Sequence, residues 1–149
     1  MPRSPVCVDA SIVVALVTAE TQSERALTLW AEWMQGGIRV IAPTLLQCEA
    51  TSALRRKVMR GTMSLPDARR ALEVALSLAI ELLDPPGLSL RALDLAVRLN
   101  RPAAYDAYYL ALAEMMGAEF WTADEKLYNA VRDEFPHIHW VGTADQAKP

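Results

Sequence analysis

Pro5-Val-Cys-Val-Asp-Ala-Ser-Ile-Val-Val-Ala-Leu-Val17 joins a short apolar run, ended by an acid, directly to a helical stretch. A short, unbroken apolar run suits a strand buried on both faces, the way strands of a parallel sheet read. Asp9 ends that strand and opens a helix from Ala10 to about Val17.

The same unit recurs along the chain. Ala26, Leu29, Trp30, Trp33 and Met34 stand at helical spacing within residues 22–35, and Gly36-Gly37 stops that helix. Ile38 to Ala42 reads as a second strand closed by Pro43, and Thr44 to Met59 as a helix with Gly61 beyond its end. Ser64 can cap the next helix, with Pro66 in its first turn and Asp67 where a capping-box acid stands. That helix runs to about Leu78, and a strand from Ile80 to Asp84 ends at Pro85-Pro86-Gly87. Leu90, Leu93 and Val97 mark one face of another helix. A strong helix from about Ala104 to Met116 is stopped by Gly117. A strand over Glu119–Thr122, a short helix over Asp124–Val131 and a strand over Ile138–Val141 complete the pattern. Strands alternating with helices, without hairpin signals, predict one α/β domain over residues 1–149. Its central parallel sheet would hold four to five short strands with helices on both faces.

A chain of 149 residues, 52% apolar and 22% charged, is long enough to bury a core without disulfides or structural metals. No apolar run approaches the roughly 20 residues of a membrane span, and the N-terminus carries no secretion signal. Cys7 and Cys48 lie in apolar stretches without metal-ligand spacing, and read as reduced core residues of a cytoplasmic protein. A net charge of −3 argues against a broad nonspecific nucleic-acid surface. The basic residues are nonetheless clustered: Arg55, Arg56, Lys57 and Arg60, then Arg91, Arg98 and Arg101. A solvated helix face explains such runs equally well.

Of the 18 acids, four stand out. Asp9 ends the first strand, where open parallel sheets place their ligand crevice, although Asp is also a good helix cap. Asp124 follows the strand Phe120-Trp121-Thr122 in the same way. Asp106 lies in Ala104-Tyr-Asp-Ala-Tyr-Tyr-Leu-Ala-Leu-Ala113, apolar nearly all round, where a buried charge is costly unless paired or bound to a metal. The helix dipole returns only about 0.3–1 kcal/mol against several kcal/mol for an uncompensated ion. Glu49 stands among Leu45, Leu46, Ala50, Ala53 and Leu54, and could alternatively pair with Arg56 two turns on. Acids gathered without a cation repel one another, and an all-oxygen donor set favours Mg²⁺ or Mn²⁺ over zinc. His137 and His139 read as strand or surface residues. Carboxylates holding such a metal can hydrolyse a phosphodiester without a covalent nucleophile.

At these residues the chain resembles the PIN domains, and among them the VapC-type toxins of toxin–antitoxin pairs. Val6-Cys-Val-Asp-Ala-Ser-Ile-Val-Val-Ala15 is similar to the family's opening strand with its Asp-x-Ser turn. Ala42-Pro-Thr-Leu-Leu-Gln-Cys-Glu49 resembles the segment that delivers its glutamate. Tyr105-Asp-Ala-Tyr-Tyr-Leu-Ala-Leu-Ala-Glu114 with Gly117-Ala118 is the most specific match, and Trp121-Thr-Ala-Asp-Glu-Lys-Leu127 matches the last acidic motif. The resemblance implies a PIN-like fold and Mg²⁺- or Mn²⁺-dependent endonucleolytic cleavage of RNA. Asp9 and Asp106 would be the main metal ligands, and Asp124 and Glu49 would complete the pocket. Ser11 and Thr122 would orient the metal shell. The general base among the acids is left open. The family often carries Asn three residues after its glutamate, where this chain has Ser52. The resemblance further implies a homodimer and an antitoxin partner; Trp30, Trp33 and Met34 suit an interface or a core.

Three other functions compete. An inactive PIN-fold module would bind RNA or protein only. A receiver-type phosphate domain expects an acidic pair after its first strand, whereas Asp9 is followed by Ala10. PIN nucleases acting on structured DNA carry long insertions for which 149 residues leave no room.

Overall fold

β-Strands and α-helices alternate through residues 3–143, the part of the chain described by the computed structural model. The order is β1 (Val6–Val8), α1 (Ala10–Val17), α2 (Ser23–Gln35), β2 (Val40–Pro43), α3 (Leu45–Met59) and α4 (Leu65–Ser77). There follow β3 (Ile80–Leu83), α5 (Leu88–Arg98), α6 (Tyr105–Met116), β4 (Glu119–Thr122), α7 (Glu125–Val131) and β5 (Ile138–Trp140). The strands form one sheet in the order β3-β2-β1-β4-β5, and every neighbouring pair is parallel. The chain therefore leaves β1 to one side and returns to β4 on the other. That reversal opens a crevice beyond the carboxyl ends of β1 and β4.

The predicted α/β architecture is present element by element, with local differences. β2 starts at Val40 rather than Ile38 because residues 36–38 are still closing α2. Gly36, Gly37 and Ile38 donate their amides to Glu32, Met34 and Trp33, and Gly37 takes φ +65°, as a helix end of this type requires. β5 stops at Trp140, and Val141–Thr143 form a short 3₁₀ turn. Cys7 is buried, but Cys48 is exposed on α3, which overturns its reading as a core residue.

Alternation along the strands divides the interior into two layers. Cys7, Ile41 and Phe120 face one layer with α5, α6, Leu127 and Val131; Val6, Val8 and Val40 face the other with Ile12, Ala15, Ala26, Leu29 and Trp33. Trp33 is thus a core residue, packed edge-on against Trp121 with ring centroids 6.0 Å apart. Met34 from the same helix is exposed. On α5 the small residues Ala92 and Ala96 turn inward with Leu88 and Leu95. Leu90, Leu93 and Val97 share a face, as predicted, but it is the solvent face. None of the described helices is long and apolar enough to cross a membrane.

α6 lies over β1, β2 and β4, and its residues Tyr109 to Ala113 are all buried. A helix at the centre of one layer has little freedom to close a void. Leu110→Ala should therefore destabilise the protein by about 2–5 kcal/mol in urea unfolding.

Candidate active site

The carboxyl end of β1 delivers Asp9 into the crevice, and its carboxylate caps α1 by accepting the Ile12 amide. The capping role and the site role coincide. Asp9 is one of two buried polar or charged residues among those described; the other is Thr122, from the end of neighbouring β4. The two meet: the Thr122 hydroxyl donates to Asp9 Oδ2 at 2.6 Å, and the Ser11 hydroxyl donates to Asp9 Oδ1 at 2.5 Å. The same hydroxyls accept backbone amides from the β4–α7 turn. Ala123 donates to Ser11 Oγ at 2.8 Å and Asp124 to Thr122 Oγ1 at 3.0 Å. Ser11 and Thr122 thus lock Asp9 in orientation and tie the turn after β1 to the turn after β4. Asp124 caps α7 through Oδ1, which accepts the Leu127 amide.

The remaining two acids come from helices. Glu49 lies on α3, where Tyr109 of α6 donates its hydroxyl to Glu49 Oε1 at 2.5 Å. It is not paired with Arg56. Tyr109 was not singled out from the sequence, although its place three residues after Asp106 puts both on one face of α6. Asp106 stands in the first turn of α6 with its side chain 39% exposed, and Arg101 Nη2 donates to its Oδ2 at 3.1 Å. The deep burial inferred from the apolar helix is not found. The neighbouring residues are buried, while Asp106 points outward and already has a cation. Arg101 Nε is buried without a partner.

Asp9, Glu49, Asp106 and Asp124 line one open cavity of about 310 Å³, with Ser11 and Tyr109. Arg56, Lys57 and Arg60, further along α3 from Glu49, line the same cavity. Ser52 lies exposed on α3 outside this lining. The donors are oxygens, which suits a hard divalent cation. Among the described residues, no three carboxylate, imidazole or thiol groups stand close enough to hold an ion in this arrangement. Two acids are instead engaged by Arg101 and Tyr109. His137 and His139 lie away from the cavity, on or beside β5, and both meet Glu119.

Burial pushes the Asp9 carboxyl from its ordinary 3.8 up to about 6, against the lowering by Ser11, Thr122 and the Ile12 amide, and Asp124 adds a smaller upward push.

The sequence model of the PIN-domain family matches residues 6–133, and the chain belongs to that family. Within it the chain stands with the VapC ribonucleases. It is 32% identical over 131 residues to ribonuclease VapC9 of Mycobacterium tuberculosis and to VapC ribonuclease Mb0985 of Mycobacterium bovis, covering 88% of this chain and 94% of each relative. Among solved structures, PAE2754 from Pyrobaculum aerophilum superposes with a TM-score of 0.64 at 27% identity, covering 85% of this chain and 79% of that one. VapC20 of M. tuberculosis, described as a sarcin–ricin loop cleaving toxin, shares the fold with a TM-score of 0.65 at 19% identity, covering 87% and 95%. A toxin–antitoxin complex from Klebsiella pneumoniae does so with a TM-score of 0.64 at 16% identity, covering 91% and 97%.

The Asp9 shift fixes a pH dependence. A carboxyl raised on folding stabilises the native state fully below about pH 4, and that contribution is lost as pH rises through about 6. In EDTA, Asp9 should withdraw on the order of 3 kcal/mol across this window. Urea unfolding near pH 4 and near pH 7 should show this component in the wild type and its absence in Asp9→Asn.

Proposed function

We propose that residues 1–149 form a single PIN domain that acts as a cytoplasmic, Mg²⁺- or Mn²⁺-dependent endoribonuclease, the toxin of a VapBC-type pair. The observation that carries this reading is Asp9, buried at the reversal of the sheet and sharing one cavity with Glu49, Asp106 and Asp124. Family membership supplies the reaction class, and the donor chemistry supplies the preference for a hard cation.

Asp9 is the anchor of the site, with its orientation set by Ser11 and Thr122. Asp106 would be the second principal ligand; in the metal-free site its carboxylate accepts from Arg101. Asp124 completes the acidic shell from the sheet side, and Glu49 from the helix side, where Tyr109 restrains it. A divalent ion bound there supplies polarisation of a phosphoryl oxygen and activation of water. The reading includes a homodimer and a small antitoxin partner. The Klebsiella toxin–antitoxin complex and VapBC-1 of nontypeable Haemophilus influenzae are fold neighbours of this chain.

Purified protein should cleave RNA in Mn²⁺ or Mg²⁺ and not in EDTA. Asp106→Asn should reduce the rate by more than about 100-fold, the upper range for disturbing merely the outer shell of a metal site. Equal cleavage by wild type and variant would sink the assignment of the site. A protein that binds the metal in calorimetry yet cleaves no RNA would instead be a binding module of the same fold.

A further inference from the structure

α3 carries opposite charges on a single stripe. Glu49, Ala53, Arg56 and Arg60 follow one another at intervals of four, three and four residues, which is one face of a helix, and all four line the cavity. With a rise of 1.5 Å per residue, Arg56 lies roughly 10 Å and Arg60 roughly 17 Å along the axis from Glu49. Lys57 lines the same wall, whereas Arg55, adjacent in sequence, does not.

A solvated face or a favourable helix dipole would explain basic residues near the end of α3, but not which ones face the cavity. Arg56 and Arg60 stand one turn apart with like charge, an arrangement that weakens a helix unless something offsets it. Neither has an acidic side-chain partner among the described residues. Lys57 differs: its Nζ sits 2.6 Å from Glu20 Oε1, an acid of the segment between α1 and α2 that lines the same wall. The cavity is thus acidic at the end formed by the sheet and cationic along α3, with the smallest side chain of the stripe, Ala53, between the two.

We infer that Arg56 and Arg60 form a backbone subsite for single-stranded RNA, holding the phosphates on one side of the bond to be cut, while Glu20 restrains Lys57 at its edge. The inference rests on the nuclease reading above. A strand whose reacting phosphodiester lies at the four acids must carry its neighbouring phosphates past Ala53 toward two open guanidinium groups. Guanidinium is matched to phosphate through paired hydrogen bonds. Among the described residues of the lining, Tyr109 is the one aromatic ring, and it is 1% exposed and bonded to Glu49, so it offers no face for base stacking. The subsite therefore contributes affinity and direction, and reads no base.

The test is binding of a short, fluorescently labelled single-stranded RNA to the full chain in EDTA, by anisotropy, between about 50 and about 200 mM salt. Arg56→Gln/Arg60→Gln should weaken binding at low salt and flatten the log–log salt slope by about 1.4, two phosphates at about 0.7 each. Gln keeps the helix propensity of this exposed face, so the fold is retained. The charge-matched control Arg55→Gln/Arg69→Gln, outside the cavity, should leave the slope unchanged. Glu20→Gln should tighten binding severalfold by freeing Lys57. An unchanged slope in the Arg56/Arg60 variant, or an equal change in the control, overturns the subsite even if the wild type cleaves RNA in Mn²⁺. Loss of binding to a polyglutamate peptide with RNA binding intact also overturns it, and assigns the wall to an acidic protein segment. The expected slope change in a protein that cleaves nothing supports the subsite and overturns the nuclease reading instead.

Discussion

The site depends on how a buried carboxylate is held where the sheet reverses direction. Asp9 has lost its water, and three donors replace it: the Ser11 and Thr122 hydroxyls and the Ile12 amide. Each donor comes from an element that must already be in place, namely the first turn of α1 or the end of β4. The contact therefore joins segments more than a hundred residues apart in the chain. It also requires β1 and β4 to be neighbours in register, since Val8 pairs with Trp121 one residue before Asp9 and Thr122. The donors do not fully offset the cost of burial, because the carboxyl is still pushed up to about 6. A protein that keeps an ion under such terms at a crevice mouth stores a demand for positive charge there.

The four acids divide by what holds them. Asp9 and Asp124 cap α1 and α7, so their oxygens are fixed by backbone geometry as firmly as the helices themselves. Glu49 and Asp106 project from helix surfaces, and each is steadied by one longer side chain, Tyr109 or Arg101. Half of the site is therefore rigid and half is adjustable. All four acids line one cavity, and the adjustable pair is held by its own partners, Tyr109 and Arg101.

Most of the fold was legible in the sequence because its signals are local. The strand–acid–helix unit at Val6–Asp9, the stops at Gly36-Gly37 and Gly117, and the cap at Ser64 all act within a few residues. The end of α2 was placed correctly, but the hydrogen bonds that close it consume Ile38 and shorten β2, a detail that hydrophobicity does not encode. Cys48 is exposed rather than in the core, and the shared face of Leu90, Leu93 and Val97 is the solvent face, which periodicity alone does not decide. An apolar residue records that burial is favourable, but which face of α5 meets α6 is decided by the small Ala92 and Ala96. The four acids line one cavity, but Asp106 is not in the buried environment that its apolar helix suggests. A helix apolar nearly all round can still turn one residue of its first turn outward, and Arg101 is five residues away in a loop without periodicity.

The charge pattern of α3 resolves a tension in the composition. A net charge of −3 is unfavourable for the polyanion binding proposed for this site. Net charge matters little when opposite charges are separated within one cavity, because the field a strand meets is local and is screened over about 10 Å at ordinary salt. Along α3 the stripe passes from Glu49 to Arg56 and Arg60 over about that distance. The acidic end is then free to demand a cation while the basic end attracts phosphate, and neither cancels the other. The missing Glu49–Arg56 ion pair is part of this arrangement. Such a pair would neutralise both ends at once; Glu49 instead accepts the Tyr109 hydroxyl from α6.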